Sequence, residues 1–242
     1  MAKSSKDRDR RAVIEQLRRD QQRAERRRTV VVISVCVVVA LVIIALAAVP
    51  LLRQHKLASK DLASIGVSRA GAGCQALVKK PANGNQQHKP VGTVINYPDA
   101  PPAFGPHWPT PAPFSRKFYT AQDRPQLEYV VHNLEHGYNL LWYDDTIAKD
   151  STQLTAVKAI AAKFTGTKLT NKFIALPWTP KDGKAFPKGA HVALTHWSAG
   201  GDPADTSKQQ GVWQYCGKVS GQVVSTFVKD WPYTDSPEPL AL

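Results

Sequence analysis

Two short stretches of this 242-residue chain hold most of its polar chemistry. Pro101–Trp108 reads PPAFGPHW and carries His107. Val130–Tyr143 reads VVHNLEHGYNLLWY and carries His132, Glu135 and His136. Imidazole is a natural ligand for zinc and copper. If these side chains meet, His107, His132 and His136 would hold such an ion, with Glu135 in support. His132-x-x-Glu135-His136 also fits a zinc-peptidase pattern, where two histidines one helical turn apart hold the metal and the Glu is the base on its water. The flanks argue against that pattern, because Val130-Val131 before and Gly137 after give no long helix. A structural role is the alternative. Histidines at a strand end bond backbone carbonyls, and Glu135 would fix a tautomer or pair with a Lys or Arg. Gly105 and Gly137 would then be turn glycines, and Trp108, Tyr138, Trp142 and Tyr143 core.

Geometry separates these readings. In a strand, His132 and His136 share a face but stand about 13 Å apart, too far to share an ion. If Asn133–His136 forms one helical turn capped by Gly137, they come within about 6 Å. The proline-rich segment would then have to bring in His107. His191 and His196 have opposite parity in one strand, so both cannot face the same site. His196, beside Trp197, is the better candidate to join it.

These stretches resemble the bacterial domain-of-unknown-function family 3105. Its members carry PP-x-x-G-x-H, then HxLEHG and a hydrophobic strand, behind an N-terminal anchor. Pro101-Pro102 with Gly105 and His107 agrees, and so does His132-Asn133-Leu134-Glu135-His136-Gly137. Ala193-Leu194-Thr195, Trp197 and Pro237-Glu238 resemble later family stretches, over about residues 72–238. Ala103-Phe104 departs from the usual Thr-Ser, which removes two hydroxyls from any chemistry here. The resemblance implies a fold family and an envelope-facing domain, and no activity.

Positioning these residues needs a sheet and helices. Residues 80–117 hold nine prolines and cannot be helical. Their aromatics, Tyr97, Phe104, Trp108 and Phe114, favour packing on a core. Glu128–His132 and Tyr138–Tyr143 read as strands, rich in aromatic and branched residues. Asp150-Ser151 opens a helix over 152–164. Lys172–Pro177 and His191–Trp197 read as strands, Val212–Tyr215 as a short element, and Gly221–Asp230 as a helix or strand. The fold class expected is α+β, a mixed β-sheet with packed helices. The closing PYTDSPEPLAL is expected at the surface.

The charge is +13, yet residues 1–28 carry 11 basic and 5 acidic groups, and the excess beyond residue 52 is scattered. No aromatic-basic stripe supports nucleic-acid binding. Thr29–Leu52 is 24 residues without a charge. A helix of that length spans about 36 Å, more than a hydrocarbon core of about 30 Å. A signal peptide would have a shorter apolar core, roughly 7–15 residues. Arg23, Arg26, Arg27 and Arg28 outweigh Arg53 and Lys56, so the N-terminus is expected in the cytoplasm. The organisation read is a basic cytoplasmic tail (1–28), a transmembrane helix (29–52), a stalk (53–71) and an extracytoplasmic domain (72–242).

Cys36 lies in the span. Cys74 and Cys216 lie beyond it, where an oxidising compartment would pair them. Walker, G-x-G-x-x-G, G-x-S-x-G and haem C-x-x-C-H signatures are missing. The reading is a single-pass protein of the cell membrane that binds a transition metal, zinc or copper, or a small ligand through its histidines. Two alternatives stand beside it. One is a non-enzymatic interaction module using residues 101–118 against an envelope partner, and the other is a metal-dependent hydrolase.

Overall fold

The structure, a computed structural model, describes residues 3–82 and 86–242. It divides into two compact units, one up to Leu52 and one from Arg53 to Leu242, each described by itself. The first consists of helix α1 (Lys3–Ala58), whose last residues belong to the second unit. Within α1, Val13–Val49 is the one helical stretch among the described residues that is long and apolar enough to cross a membrane. Its valine, isoleucine and leucine side chains between Val30 and Leu46 are more than half exposed. A helix that is apolar all round and uncovered fits a single-pass anchor.

The second unit is α+β. Its strands are β1 (Val78–Pro81), β2 (Asn139–Tyr143), β3 (Phe173–Pro177), β4 (Val192–Ser198) and β5 (Gln210–Cys216). They form one mixed sheet in the order β1-β5-β4-β2-β3. Only β2 and β3 pair in parallel, with Leu140 opposite Ile174 and Trp142 opposite Leu176. Their connection runs through helices α3 (Asp145–Lys149) and α4 (Ser151–Ala162). Each helix starts on an aspartate cap. Asp144 accepts from the amides of Thr146 and Ile147, and Asp150 from those of Thr152 and Gln153. Helix α5 (Gly221–Asp230) follows β5 and settles the last sequence alternative as a helix.

Side chains alternate along each strand, and β2, β3, β4 and nearly all of β5 are buried on both faces, whereas the edge strand β1 is mostly exposed. One face carries Leu141, Tyr143, Phe173, Ala175 and Leu194 against α4 and α5. The other carries Leu140, Trp142, Ile174, Leu176, Ala193 and Trp197. That second face is covered by helix α2 (Leu127–Glu135) and the proline-rich segment.

Helix α2 corrects the expected strand at Glu128–His132. Branched Val130 and Val131 suggested a strand, but Leu127, Val130, Val131 and Leu134 recur at i, i+3, i+4 and i+7. That is the period of a helix with one buried stripe, and Val130, Val131 and Leu134 are fully buried. The proline-rich segment packs as expected. Phe104 sits with its ring centroid 6.1 Å from both Trp197 and Trp213, over Gly211, where a Cβ would lie 2.4 Å from the Phe104 ring. Ala103 and Phe104 therefore serve packing.

Two further segments are more built-in than expected. Part of the segment read as a stalk packs against the domain. Ile65 is fully buried and its carbonyl accepts from Gly221 N at 2.7 Å. The closing segment is not wholly at the surface either. Ser236 is fully buried, and Glu238 N donates to Glu135 O at 3.0 Å.

Cys74 and Cys216 form a disulfide across 142 residues, joining the start of the domain to the end of its last strand. Closing so long a loop restrains the unfolded chain by about 5 kcal/mol in the chain-entropy account. A Cys74→Ser, Cys216→Ser double variant, unfolded by guanidinium in detergent, is expected to lose about 2–5 kcal/mol of stability. An unchanged midpoint would mean that the bridge contributes nothing.

Candidate metal centre

Helix α2 carries two stripes. One is the apolar stripe against the sheet. The other is His132, Glu135 and His136, at i, i+3 and i+4, which share a helical face. His136 caps the helix, with its amide donating to His132 O at 3.2 Å. Gly137 then turns the chain out at φ +89°. A Cβ there would lie 2.3 Å from Tyr233 O, so only glycine lets the closing segment pack against the helix end. The H-x-x-E-H spacing therefore stands on a helix of nine residues capped by His136, not on a long one.

The proline-rich segment supplies His107. Gly105, at φ +137°, turns its carbonyl to the His107 ring. His107 N donates to Gln87 O at 3.0 Å and Lys89 N donates to His107 O at 2.7 Å. This pairing lays residues 87–89 beside His107 and brings in His88, which sequence reasoning missed. His88 had no motif around it, and its place depends on a backbone pairing that no spacing reveals. Asn133, in the middle of the HNLEHG stretch, clamps the same segment. Its Oδ1 accepts from Ala112 N at 2.9 Å and its Nδ2 donates to Ala112 O at 3.0 Å.

Ligand atoms of His88, His107, His132 and Glu135 lie within 4.8 Å of one another. His107 and Glu135 are fully buried, His132 is 5% exposed, and His88 covers them from the solvent side. His107 Nε2 is 3.0 Å from Glu135 Oε2, and His88 Nε2 is 3.7 Å from the same oxygen. His136 belongs to an adjoining group with Glu135 and Glu238. It touches the first group through His132, with the two Nε2 atoms 2.9 Å apart. The structure thus gathers His107, His132 and Glu135 and sets His136 at one edge.

His196 does not join them. It lies on the α4–α5 side of β4, one residue out of phase with Trp197, and its Nε2 meets Asp235 O at 2.8 Å. Burial lowers its pKa, which the Asp235 carbonyl only partly offsets. Trp197, on the other side, places its ring 6.1 Å from that of His107. His191 is farther along the strand and bonds Asp144 Oδ2 at 2.8 Å.

Tautomers follow from the partners. His107 Nδ1 faces Gly105 O at 2.8 Å, His132 Nδ1 faces Trp108 O at 2.5 Å, and His136 Nδ1 faces Leu242 O at 2.9 Å. A carbonyl only accepts, so each ring carries a proton on Nδ1. In a neutral ring Nε2 is then a bare lone pair. Burial, reinforced by the neighbouring His136 and His107, holds the His132 pKa down to about 4 against the pull of the Trp108 carbonyl and Glu135. Burial also lowers that of His136. Burial opposes a charged Glu135, but the hydrogen bond and charge of His107, the Gln86 amide and His132 outweigh it and keep the carboxyl below its usual range. When neutral, His132 and His136 thus aim acceptor nitrogens at one another, while His107 Nε2 is hydrogen-bonded to the Glu135 carboxylate.

Lys172 is fully enclosed beside it. Its ammonium donates to His136 O, Pro239 O and Ala241 O at 2.7, 2.8 and 2.6 Å, so every proton has a partner. Burial lowers its pKa to about 8.

The molecule is therefore an α+β domain with a buried histidine–carboxylate cluster, following a helix apolar enough to span a bilayer. A family model described as protein of unknown function (DUF3105) matches residues 88–240, well over half of the chain, and the chain belongs to that family. The match begins at His88, later than the expected residue 72, and takes in every member of the cluster. No curated protein and no solved structure matches the chain.

Removing the Asn133 amide should free the loop that carries His107. Asn133→Ala strands two backbone groups at Ala112 and is expected to cost about 1–3 kcal/mol. Denaturant unfolding would measure it, and faster proteolysis within 109–117 would locate it.

Proposed function

We propose that this protein is a membrane-anchored envelope protein whose outer domain holds a first-row transition metal, zinc or copper, through His88, His107, His132 and Glu135. The observation that carries this is the meeting of acceptors. Ligand atoms of His88, His107, His132 and Glu135 converge within 4.8 Å, and neutral His132 and His136 set their bare Nε2 atoms 2.9 Å apart while giving their Nδ1 protons to carbonyls. Such contacts repel unless a cation joins them. Extra protons would serve, but burial disfavours them on His132 and His136 near neutral pH. A metal serves better. Tetrahedral zinc, with bonds of about 2.0–2.1 Å, keeps its ligand atoms about 3.3 Å apart, and the Glu135 carboxylate oxygen lies 3.0 Å from His107 Nε2 and 3.7 Å from His88 Nε2. Carbonyl-bonded Nδ1 is also the usual outer support of a metal-binding imidazole.

The resident ion, when bound, would act as a Lewis acid or a redox centre. The chain's part is to orient the imidazoles, exclude water and supply one negative charge. Glu135 is fully buried and hydrogen-bonded to His107, so it is a ligand-side carboxylate rather than a base free to work on a water. This favours binding over the hydrolase alternative. Residues 101–108 are largely buried against the core, which leaves a partner little of that loop to grip.

The anchor is read as Thr29–Leu52, with residues 1–28 in the cytoplasm and 72–242 outside. The arginine cluster before the apolar run supports this, as does a disulfide, which persists where conditions are oxidising. The partner implied is the lipid bilayer.

Full-length protein purified in detergent without chelators is expected to carry at least about one zinc or copper per chain. His107→Ala and His132→Ala should each weaken retention by about tenfold or more. Metal near zero, even after reconstitution with both ions, would remove the reading. For topology, an export-dependent reporter fused after residue 242 should be active and one fused before residue 1 silent. The reverse result would invert the orientation.

A further inference from the structure

We infer that the cluster holds a second cation beside the first, bridged by the Glu135 carboxylate and held on its far side by His136 and Glu238. This rests on the metal reading above and extends it from one ion to a pair.

Three side chains define the second position. Ligand atoms of Glu135, His136 and Glu238 lie within 4.8 Å of one another. Glu135 is common to both groups and is fully buried. Its Oε2 faces His107 and His88, while Oε1, equally enclosed, makes no hydrogen bond of ordinary geometry among the described residues, the Gln86 amide being the nearby donor to this carboxylate. One oxygen per ion is how a carboxylate bridges two metals. His136 is 6% exposed, gives its Nδ1 proton to Leu242 O, and has its Nε2 3.5 Å from Glu238 Oε2. That contact also joins two acceptors when the ring is neutral.

Glu238 is carried there by a fastened segment. Its own amide bonds Glu135 O, and Lys172 holds the carbonyls of Pro239 and Ala241. The Lys172 protons go to carbonyls, so that ammonium forms no hydrogen bond with either carboxylate, although its charge is felt at His136. Among the described residues, Glu135 and Glu238 form ion pairs only with histidines. Two carboxylates and four imidazoles thus converge, and among the described residues no lysine or arginine forms an ion pair with either carboxylate. Two divalent cations about 3.5–4 Å apart, the usual spacing of a paired site, would supply the missing positive charge. Hard carboxylate oxygens at the Glu238 end and imidazoles at the His88 end give the two positions unequal ligand sets, so they should fill in sequence.

The test uses the full chain in detergent, titrated with zinc and, separately, with cobalt(II), and metal counted after gel filtration. The wild type is expected to bind about two ions per chain, with the paired cobalt spins coupled in electron paramagnetic resonance. Glu238→Gln removes a half-exposed carboxylate without touching the core. It should bring the count to about one and leave an uncoupled cobalt signal. A wild type that binds a single ion, lost in His107→Ala, or a Glu238→Gln variant that keeps two, would overturn the second position while leaving the first. Binding of none would remove both.

Discussion

A backbone carbonyl has only lone pairs to offer, and three carbonyls govern the buried imidazoles here. Gly105 O, Trp108 O and Leu242 O each take the Nδ1 proton of one ring. In a neutral ring the remaining nitrogen is then an acceptor, as in His132 and His136, whose Nε2 atoms face each other beside the Glu135 carboxylate. In water such groups would turn away or pick up protons. Inside the domain they cannot turn, and desolvation holds His132 and His136 in the neutral form. The arrangement is costly as a set of neutral groups and favourable around a positive ion, and most of the surrounding structure serves to keep it in place.

That surrounding structure comes from three directions. Helix α2 presents His132, Glu135 and His136 on one face because its opposite face is locked onto the sheet by Val130, Val131 and Leu134. The proline-rich segment, stiff for want of rotatable φ angles, holds His107 and is fastened to the helix by the Asn133 amide. The closing segment is drawn in by Lys172 and brings Leu242 O and Glu238. Each fastening satisfies buried polar groups completely, as the Asn133 amide and the Lys172 ammonium do, which is what lets polar chemistry sit beside a tryptophan-rich core. Gly137 makes the third approach possible, since any side chain there would collide with Tyr233 O.

Where reading the chain failed, a local signal competed with a stronger one. Val130-Val131 favours a strand by branching, yet the apolar spacing from Leu127 to Leu134 is helical, and burial of that stripe decided the outcome. His196 was attractive because it neighbours Trp197. Strand pleating sends the two residues to opposite faces, and the tryptophan, not the histidine, faces the cluster. Strand β1 pairs its four residues with β5 along the sheet edge, and its half-exposed, lysine-bearing sequence offers no alternation to recognise. The tail read as surface because proline and acidic residues usually are exposed, but Lys172 needs its carbonyls.

Much was nonetheless legible. The uninterrupted apolar run, the two cysteines beyond it, the apolar character of β2, β3 and β4, and the presence of His107, His132, Glu135 and His136 follow from composition and short-range spacing. Such features depend only on neighbours along the chain. Which imidazoles meet does not. His88, His107, His132 and Glu238 are brought together by a loop pairing, a helix face and a clamped tail, spanning 151 positions. Those distances are set by how separate segments pack, and packing is decided by the whole domain at once. The residue types were written in the chain, while their convergence and the direction of each lone pair belong to the tertiary structure.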